Sequence, residues 1–195
     1  MQVAVCGPAR CSEEESRAAY AIGRDLAQRG VTVLCGGGSG VMAAVAAGAR
    51  SAGGVVVGIH PGPAPRQAVA SATPVNDFGQ VTEVDAGEVA VEERHRTEVA
   101  VGEVAEVSVA ITTNLGQARN AVLVASADAV IVVGGSWGTL SELALAMRRA
   151  QEVSQASMRV VSLHGWQVLD QAGQPVGGYL SARDPRHAVL LALGG

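Results

Sequence analysis

The 195-residue chain has no lysine; all fourteen of its basic residues are arginine. That absence excludes a Walker A phosphate loop, which depends on its Lys, and any lysine Schiff base for pyridoxal phosphate or carbonyl chemistry. Arginine must therefore supply the cationic contacts to a ligand, and its planar fork suits phosphate. Aromatic residues are almost as scarce, with one Phe, two Tyr and two Trp. The 48% hydrophobic content is carried by Val, Ala, Leu and Ile, the mixture of small helices packed on a β-branched sheet. The three cysteines, Cys6, Cys11 and Cys35, lack metal-site spacing, and Cys6 and Cys35 end apparent buried strands. They read as reduced structural thiols of a cytoplasmic protein. His60, His95, His164 and His187 share no metal spacing either and read as solvated or structural, so no metal site is expected. Met1 to Val5 opens a first strand and not a secretion signal, and no apolar run is long enough to span a bilayer. Neither Ser39 nor Ser136 sits in a G-x-S-x-G elbow, which leaves nucleophilic hydrolysis unsupported.

The net charge of −4 conceals a division. Residues 77–106 hold nine of the eighteen acidic residues and only two arginines, which leaves that stretch at −7 and the remainder at +3. A mildly cationic remainder suits a small anionic ligand, and it has no basic stripe dense enough for nucleic acid.

The length fits one domain spanning 1–195. Gln2 to Cys6 reads as a strand. Ser12 with Glu15 forms a capping box for a helix that carries Ala18, Ala19, Ile22, Leu26 and Ala27 and stops at Gly30. Val31 to Cys35 is a second strand, Val41 to about Arg50 a helix, and Val55 to Ile59 a third strand. The rhythm then breaks over about 64–106, an insertion in which Glu88–Glu92 and Glu98–Val101 predict either a hairpin or a helical or disordered acidic excursion. Strands at Val107–Thr112, Ala129–Val133 and Arg159–Leu163 follow. Between and after them lie helices through Arg119 and Leu123, from about Leu140 to Ala150, and after Asp184-Pro185. This alternation predicts an α/β, Rossmann-like, doubly wound, mostly parallel sheet with helices on both faces.

Two glycine-rich turns, Gly36–Gly40 and Gly134–Thr139, each join a buried strand to a helix. In a parallel sheet such turns lie at the carboxyl ends of the strands, where backbone amides and the helix dipole favour phosphate. Neither contains G-x-G-x-x-G, nor does Gly7–Ser12, so a dinucleotide cofactor is not indicated. The candidate ligand residues are Gly37, Gly38, Ser39, Gly135, Ser136, Trp137, Gly138 and Thr139, with Gly7, Arg10, Met42 and Asn120 as further candidates. Trp137 stands at a turn tip in an aromatic-poor chain, where it can stack on a base or pterin or pack at a subunit contact.

Gly134-Gly135-Ser136-Trp137-Gly138-Thr139-Leu140-Ser141-Glu142 resembles the P-G-G-x-G-T-x-x-E signature of the LOG ("lonely guy") family, once called lysine decarboxylases. Gly36–Met42, Gly58–Gly62 and Ala127–Ala129 are similar to that family's other motifs, and the likeness covers all but about 64–106. Leu115–Asn120 resembles the bacterial branch that includes molybdenum cofactor carrier proteins. The resemblance departs at Val133, where the signature has Pro, at the bulkier Ser136-Trp137, and at Arg119-Asn120, where LOG enzymes carry Arg-Lys.

The LOG resemblance implies a nucleoside 5′-monophosphate phosphoribohydrolase needing no cofactor, with Glu142 and Arg119 catalytic. Glu142 would hold the ribose hydroxyls and assist the attacking water, and Arg119 would pair with phosphate or the developing charge. The Gly37-Gly38 amides, Gly138 and Thr139 would cradle the phosphate. The carrier branch implies the alternative, a non-catalytic carrier or sensor of a phosphorylated ligand such as a nucleoside monophosphate or molybdenum cofactor, and Asn120 leans this way. A third reading makes residues 77–106 an acidic protein-contact arm. A homodimer or dimer of dimers is implied in either family reading.

Overall fold

The computed structural model describes residues 1–62, 105–153 and 158–195. The first half comprises β1 (Gln2–Cys6), α1 (Glu13–Gln28), β2 (Thr32–Cys35), α2 (Val41–Ser51) and β3 (Val56–His60). After the insertion come β4 (Val109–Thr112), a 3-10 turn (Gly116–Ala118), α3 (Arg119–Ala125) and β5 (Ala129–Val133). The chain closes with α4 (Trp137–Val153), β6 (Arg159–Leu163), β7 (Leu180–Ser181) and α5 (Pro185–Leu193). The hairpin or helical excursion expected at about 64–106 lies, apart from its last two residues, outside the described residues. Its return is described: Ala105 N–H donates to Gly38 O at 3.1 Å, so the insertion rejoins the fold on the Gly36–Gly40 turn.

The strands form one seven-stranded sheet in the order β4-β3-β2-β1-β5-β6-β7. Every pairing is parallel, from Val3↔Val33 between β1 and β2 to Val161↔Leu180 between β6 and β7. This is a Rossmann-like α/β fold, and the expectation of a mostly parallel sheet is met. β7 is only two residues long and carried no periodic signal in the sequence. The direction of winding reverses at β1, which pairs with both β2 and β5. A crevice therefore opens beyond the carboxyl ends of β1 and β5.

Alternation along the strands divides the core into two layers. Val3 and Val5 of β1 face α1, α2 and α5 with Ile22, Val45 and Ala188. Ala4 and Cys6 face the other way, toward Leu123 of α3 and Leu143 of α4. The helix starts follow local chemistry. Glu15 N–H donates to Ser12 Oγ at 3.2 Å and Ser12 N–H to Glu15 Oε2 at 2.7 Å, the reciprocal capping box expected of those residues. Asp184 caps α5 by accepting from His187 N–H at 2.7 Å, with Pro185 in the first turn. α4 begins at Trp137, a turn earlier than the apolar periodicity from Leu140 suggested, because Ser136 provides the cap. Among the described residues no helix is long and apolar enough to cross a membrane.

Candidate functional site

Three strand ends converge on the crevice. The turn after β2 is tied to the turn after β1: Ser39 Oγ donates to Ala9 O at 3.0 Å, and Val41 N–H to Pro8 O at 3.1 Å. Gly40 has φ +64 and ψ −127, and a Cβ there would run into the Pro8 and Ala9 carbonyl oxygens. Only glycine accepts both that backbone and that approach. Gly7 abuts the Val41 side chain, and Met42 is buried with its methyl beneath Gly38. Arg10, in the turn after β1, is exposed.

The turn after β5 opens α4. Ser136 Oγ accepts from Thr139 N–H at 3.2 Å and lies 2.8 Å from Thr139 Oγ1. Thr139 is buried and its hydroxyl is engaged by Ser136, so the threonine braces the turn from below. Trp137 projects from the first turn of α4 with 79% of its surface exposed. Its ring lies 5.6 Å from that of Trp166 and is tilted 34° to it. Trp166 in turn donates its Nε1–H to Ser136 O at 3.2 Å and lies against Gly135. Two of the five aromatic residues thus gather at one turn. The sequence reading took Trp137 and missed Trp166; its signal was the scarcity of tryptophan itself.

A charged pair lies behind the turns. Arg119 Nη1 lies 3.4 Å from Glu142 Oε1, with side chains 12% and 7% exposed. By default an arginine at this sequence position would lie on an exposed face. Here its guanidinium is laid across Gly36, where any Cβ would collide with it. Burial pushes the Glu142 carboxyl up to about 7, with the Arg119 guanidinium and then the Cys6 thiol pulling it back. Burial, reinforced by the Glu142 charge, raises the Cys6 thiol well above its ordinary value. Cys6 was expected to be a plain structural thiol; it is free and buried, and it also faces the site carboxylate. A carboxyl poised near neutrality can hold or release a proton at physiological pH.

Several buried polar atoms here have no partner among the described residues: Arg119 Nε, Asn120 Oδ1 and His60 Nε2. His60 ends β3 with its imidazole against Gly37, so the structure brings it to the site although its isolated position in sequence gave no such signal. Buried polar groups left unpaired in this way mark a place for a polar ligand or water. The described residues hold no group of three His, Cys, Asp or Glu side chains placed for a metal ion. The predicted residues therefore fall into three groups: the Gly37–Ser39 turn with Gly7 and Met42 packed against it, the Gly135–Thr139 turn, and the Arg119–Asn120–Glu142 cluster behind them.

The chain matches the SLOG cluster4 family over residues 1–186. An uncharacterized protein of Archaeoglobus fulgidus is 32% identical over 182 residues, covering 93% of this chain and 96% of its own length. Among solved structures, the molybdenum cofactor binding protein of Rippkaea orientalis is similar at 26% identity and TM-score 0.68, with 99% of this chain and 95% of that chain covered. The molybdenum cofactor carrier protein of Chlamydomonas reinhardtii shares the fold at 24% identity and TM-score 0.63, with 96% and 93% covered. DNA processing protein A of Helicobacter pylori, at 14% identity and TM-score 0.59, shares the fold alone. The likeness read from the glycine motifs thus holds at the level of the SLOG group and of the carrier structures, and the chain belongs to the SLOG cluster4 family.

Proposed function

We propose that the protein binds and carries a phosphorylated pterin-type ligand of the molybdenum cofactor class. The observation that carries this reading is the exposed Trp137 indole, backed by Trp166 and placed at the capped start of α4. A flat heterocycle stacks on the indole while a phosphate meets the amides of the adjoining helix start. The amides of Gly37, Gly38, Ser39, Gly135 and Gly138 line the phosphate cradle, and the exposed Arg10 in the turn after β1 is the cation offered to it. Ser136 and Thr139 hold the turn in shape through their mutual hydrogen bond. Arg119, with Nε unpaired, and Asn120, with Oδ1 unpaired, offer one donor and one acceptor to the ligand's polar edge. These atoms fit a phosphorylated heterocycle, and the molybdenum travels as cargo. The likeness to the Rippkaea orientalis cofactor-binding protein, over nearly the whole of both chains, supports the same reading. The carrier acts in the cytoplasm as a homodimer or dimer of dimers.

A second reading rests on Glu142, whose carboxyl is pushed up to about 7 beside a guanidinium. In a phosphoribohydrolase that carboxylate holds the ribose hydroxyls and assists water as it attacks the anomeric carbon, giving free base and ribose 5-phosphate. Incubation with AMP and other nucleoside monophosphates, followed by chromatography for free base, separates the two. The carrier reading expects tight binding of molybdopterin and no base release. Base release that vanishes in Glu142→Ala would replace it with the hydrolase reading.

A further inference from the structure

A cavity of about 380 Å³ lies beyond the carboxyl ends of β6 and β7, next to the Trp137 turn but separate from it. Its size falls at the lower end of small-ligand sites, about 300–1,000 Å³. Trp166 belongs to both: its Nε1–H is held by Ser136 O, and the residue is part of the cavity lining. The turn that places it begins at His164, whose φ of +57 lies in the left-handed region. The chain after Trp166 folds back on itself to form the far side. Asp170 Oδ1 accepts from Ala172 N–H at 2.8 Å and Gln174 N–H at 2.9 Å, and Val176 N–H donates to Val168 O at 2.8 Å. Tyr179 closes the loop by donating its hydroxyl to Trp166 O at 3.3 Å. The β6–β7 connection is thus an ordered wall, and long connections of this kind are commonly functional.

The lining chemistry is specific. Among the described lining residues Ser162, Gln167 and Ser181 carry neutral donors and acceptors, Trp166 carries an indole and His164 an imidazole. Among the described residues the lining has no arginine and no carboxylate, which disfavours a charged occupant. We propose that this cavity is a nucleobase subsite, taking a flat, uncharged, hydrogen-bonding heterocycle against Trp166. It rests on the preceding reading in one respect: the phosphate joined to that base occupies the Ser136–Thr139 turn. The protein then recognises a nucleotide, or the nucleotide-extended form of a phosphorylated cofactor, with two sets of residues sharing one tryptophan.

Gly177 makes the test clean. It lines the cavity, and a Cβ built on it meets nothing within 4 Å, so a larger side chain is accepted at the cavity edge without displacing backbone. The probes are the ribonucleosides, their 5′-monophosphates and ribose 5-phosphate, titrated by calorimetry and tryptophan fluorescence. At least one nucleoside is expected to bind without its phosphate, and its monophosphate to bind more tightly than ribose 5-phosphate. Gly177→Phe, with Ser181→Leu as the second blocking variant, weakens nucleoside and monophosphate by about tenfold or more, the scale of one lost stacking contact. Both variants leave ribose 5-phosphate binding unchanged, and near-UV circular dichroism confirms the fold. If no base-bearing probe binds better than ribose 5-phosphate, or if both folded variants bind every probe as the parent does, the subsite is overturned. If nucleosides bind and are blocked while ribose 5-phosphate does not bind at all, the subsite stands and the phosphate turn fails.

Discussion

Arg119 Nη1 stands 3.4 Å from Glu142 Oε1 in a nearly closed space, although the two residues come from the starts of α3 and α4. The separation exceeds the roughly 2.7–2.9 Å of a tight charge-assisted hydrogen bond. The guanidinium therefore neutralises the carboxylate only in part, which is why burial dominates the Glu142 titration.

The first expectation concerns pH. The Glu142 carboxyl stands at about 7 in the folded chain against an ordinary value of 4.5. Between those values the folded protein holds a proton that the unfolded chain has released. The group's stabilising contribution is present below about pH 4.5 and is lost as pH rises through about 7. At about 1.4 kcal/mol per pH unit this amounts to about 3 kcal/mol. Urea unfolding of the parent and Glu142→Gln at pH 5 and pH 8 reads it directly. The parent loses stability relative to the variant over that interval, and parallel profiles would refute the assignment.

Removing the cation sharpens the same dependence. Arg119→Met leaves Glu142 buried without its partner, and breaking a buried pair in this way costs about 3–5 kcal/mol when the survivor stays charged. Because Glu142 can take up a proton, the loss is smaller at pH 6 than at pH 8. Ligand binding also falls, since Arg119 Nε is one of the unpaired donors. Unfolding curves at the two pH values and a molybdopterin titration check both parts.

Ser136→Ala removes the acceptor for Thr139 N–H and the partner of its hydroxyl. Loss of such a cap costs about 1 kcal/mol, within a range of roughly 0.5–2. For a chain of this size that lowers Tm by about 2–4 °C, measurable by calorimetry. Trp137 rides on the same turn, so its fluorescence response to ligand weakens in parallel.

Gly40→Ala forces a side chain onto a backbone with φ +64 and ψ −127, against two carbonyl oxygens. Conformations of this kind cost about 1–3 kcal/mol for residues other than glycine, before the collision is counted. The variant is expected to unfold at lower urea and to lose phosphate binding, because the Ser39–Ala9 and Val41–Pro8 bonds cannot all persist. Retained stability would mean that the two turns are not coupled as described.

Much of this protein is legible residue by residue, because its signals are local. The Ser12–Glu15 box closes within one helical turn, and apolar β-branched runs such as Ala129–Val133 are closed by glycine. The two glycine turns also announce their place, since a strand that runs into glycines and then a helix must end at the carboxyl edge of a parallel sheet. Other features depend on strand order. His60 reaches Gly37 because β3 lies beside β2; Cys6 faces Glu142 because β1 is flanked by β5, which leads into α4. Trp166 reaches Ser136 because β6 pairs with β5 in register and the chain turns back at His164. The sequence by itself determined every element but the short β7, and the phosphate-type turns, whose causes act over a few neighbouring residues. Only the tertiary structure decided which side chains share the crevice, because residues distant in sequence meet according to sheet order and register, and burial then sets their charge.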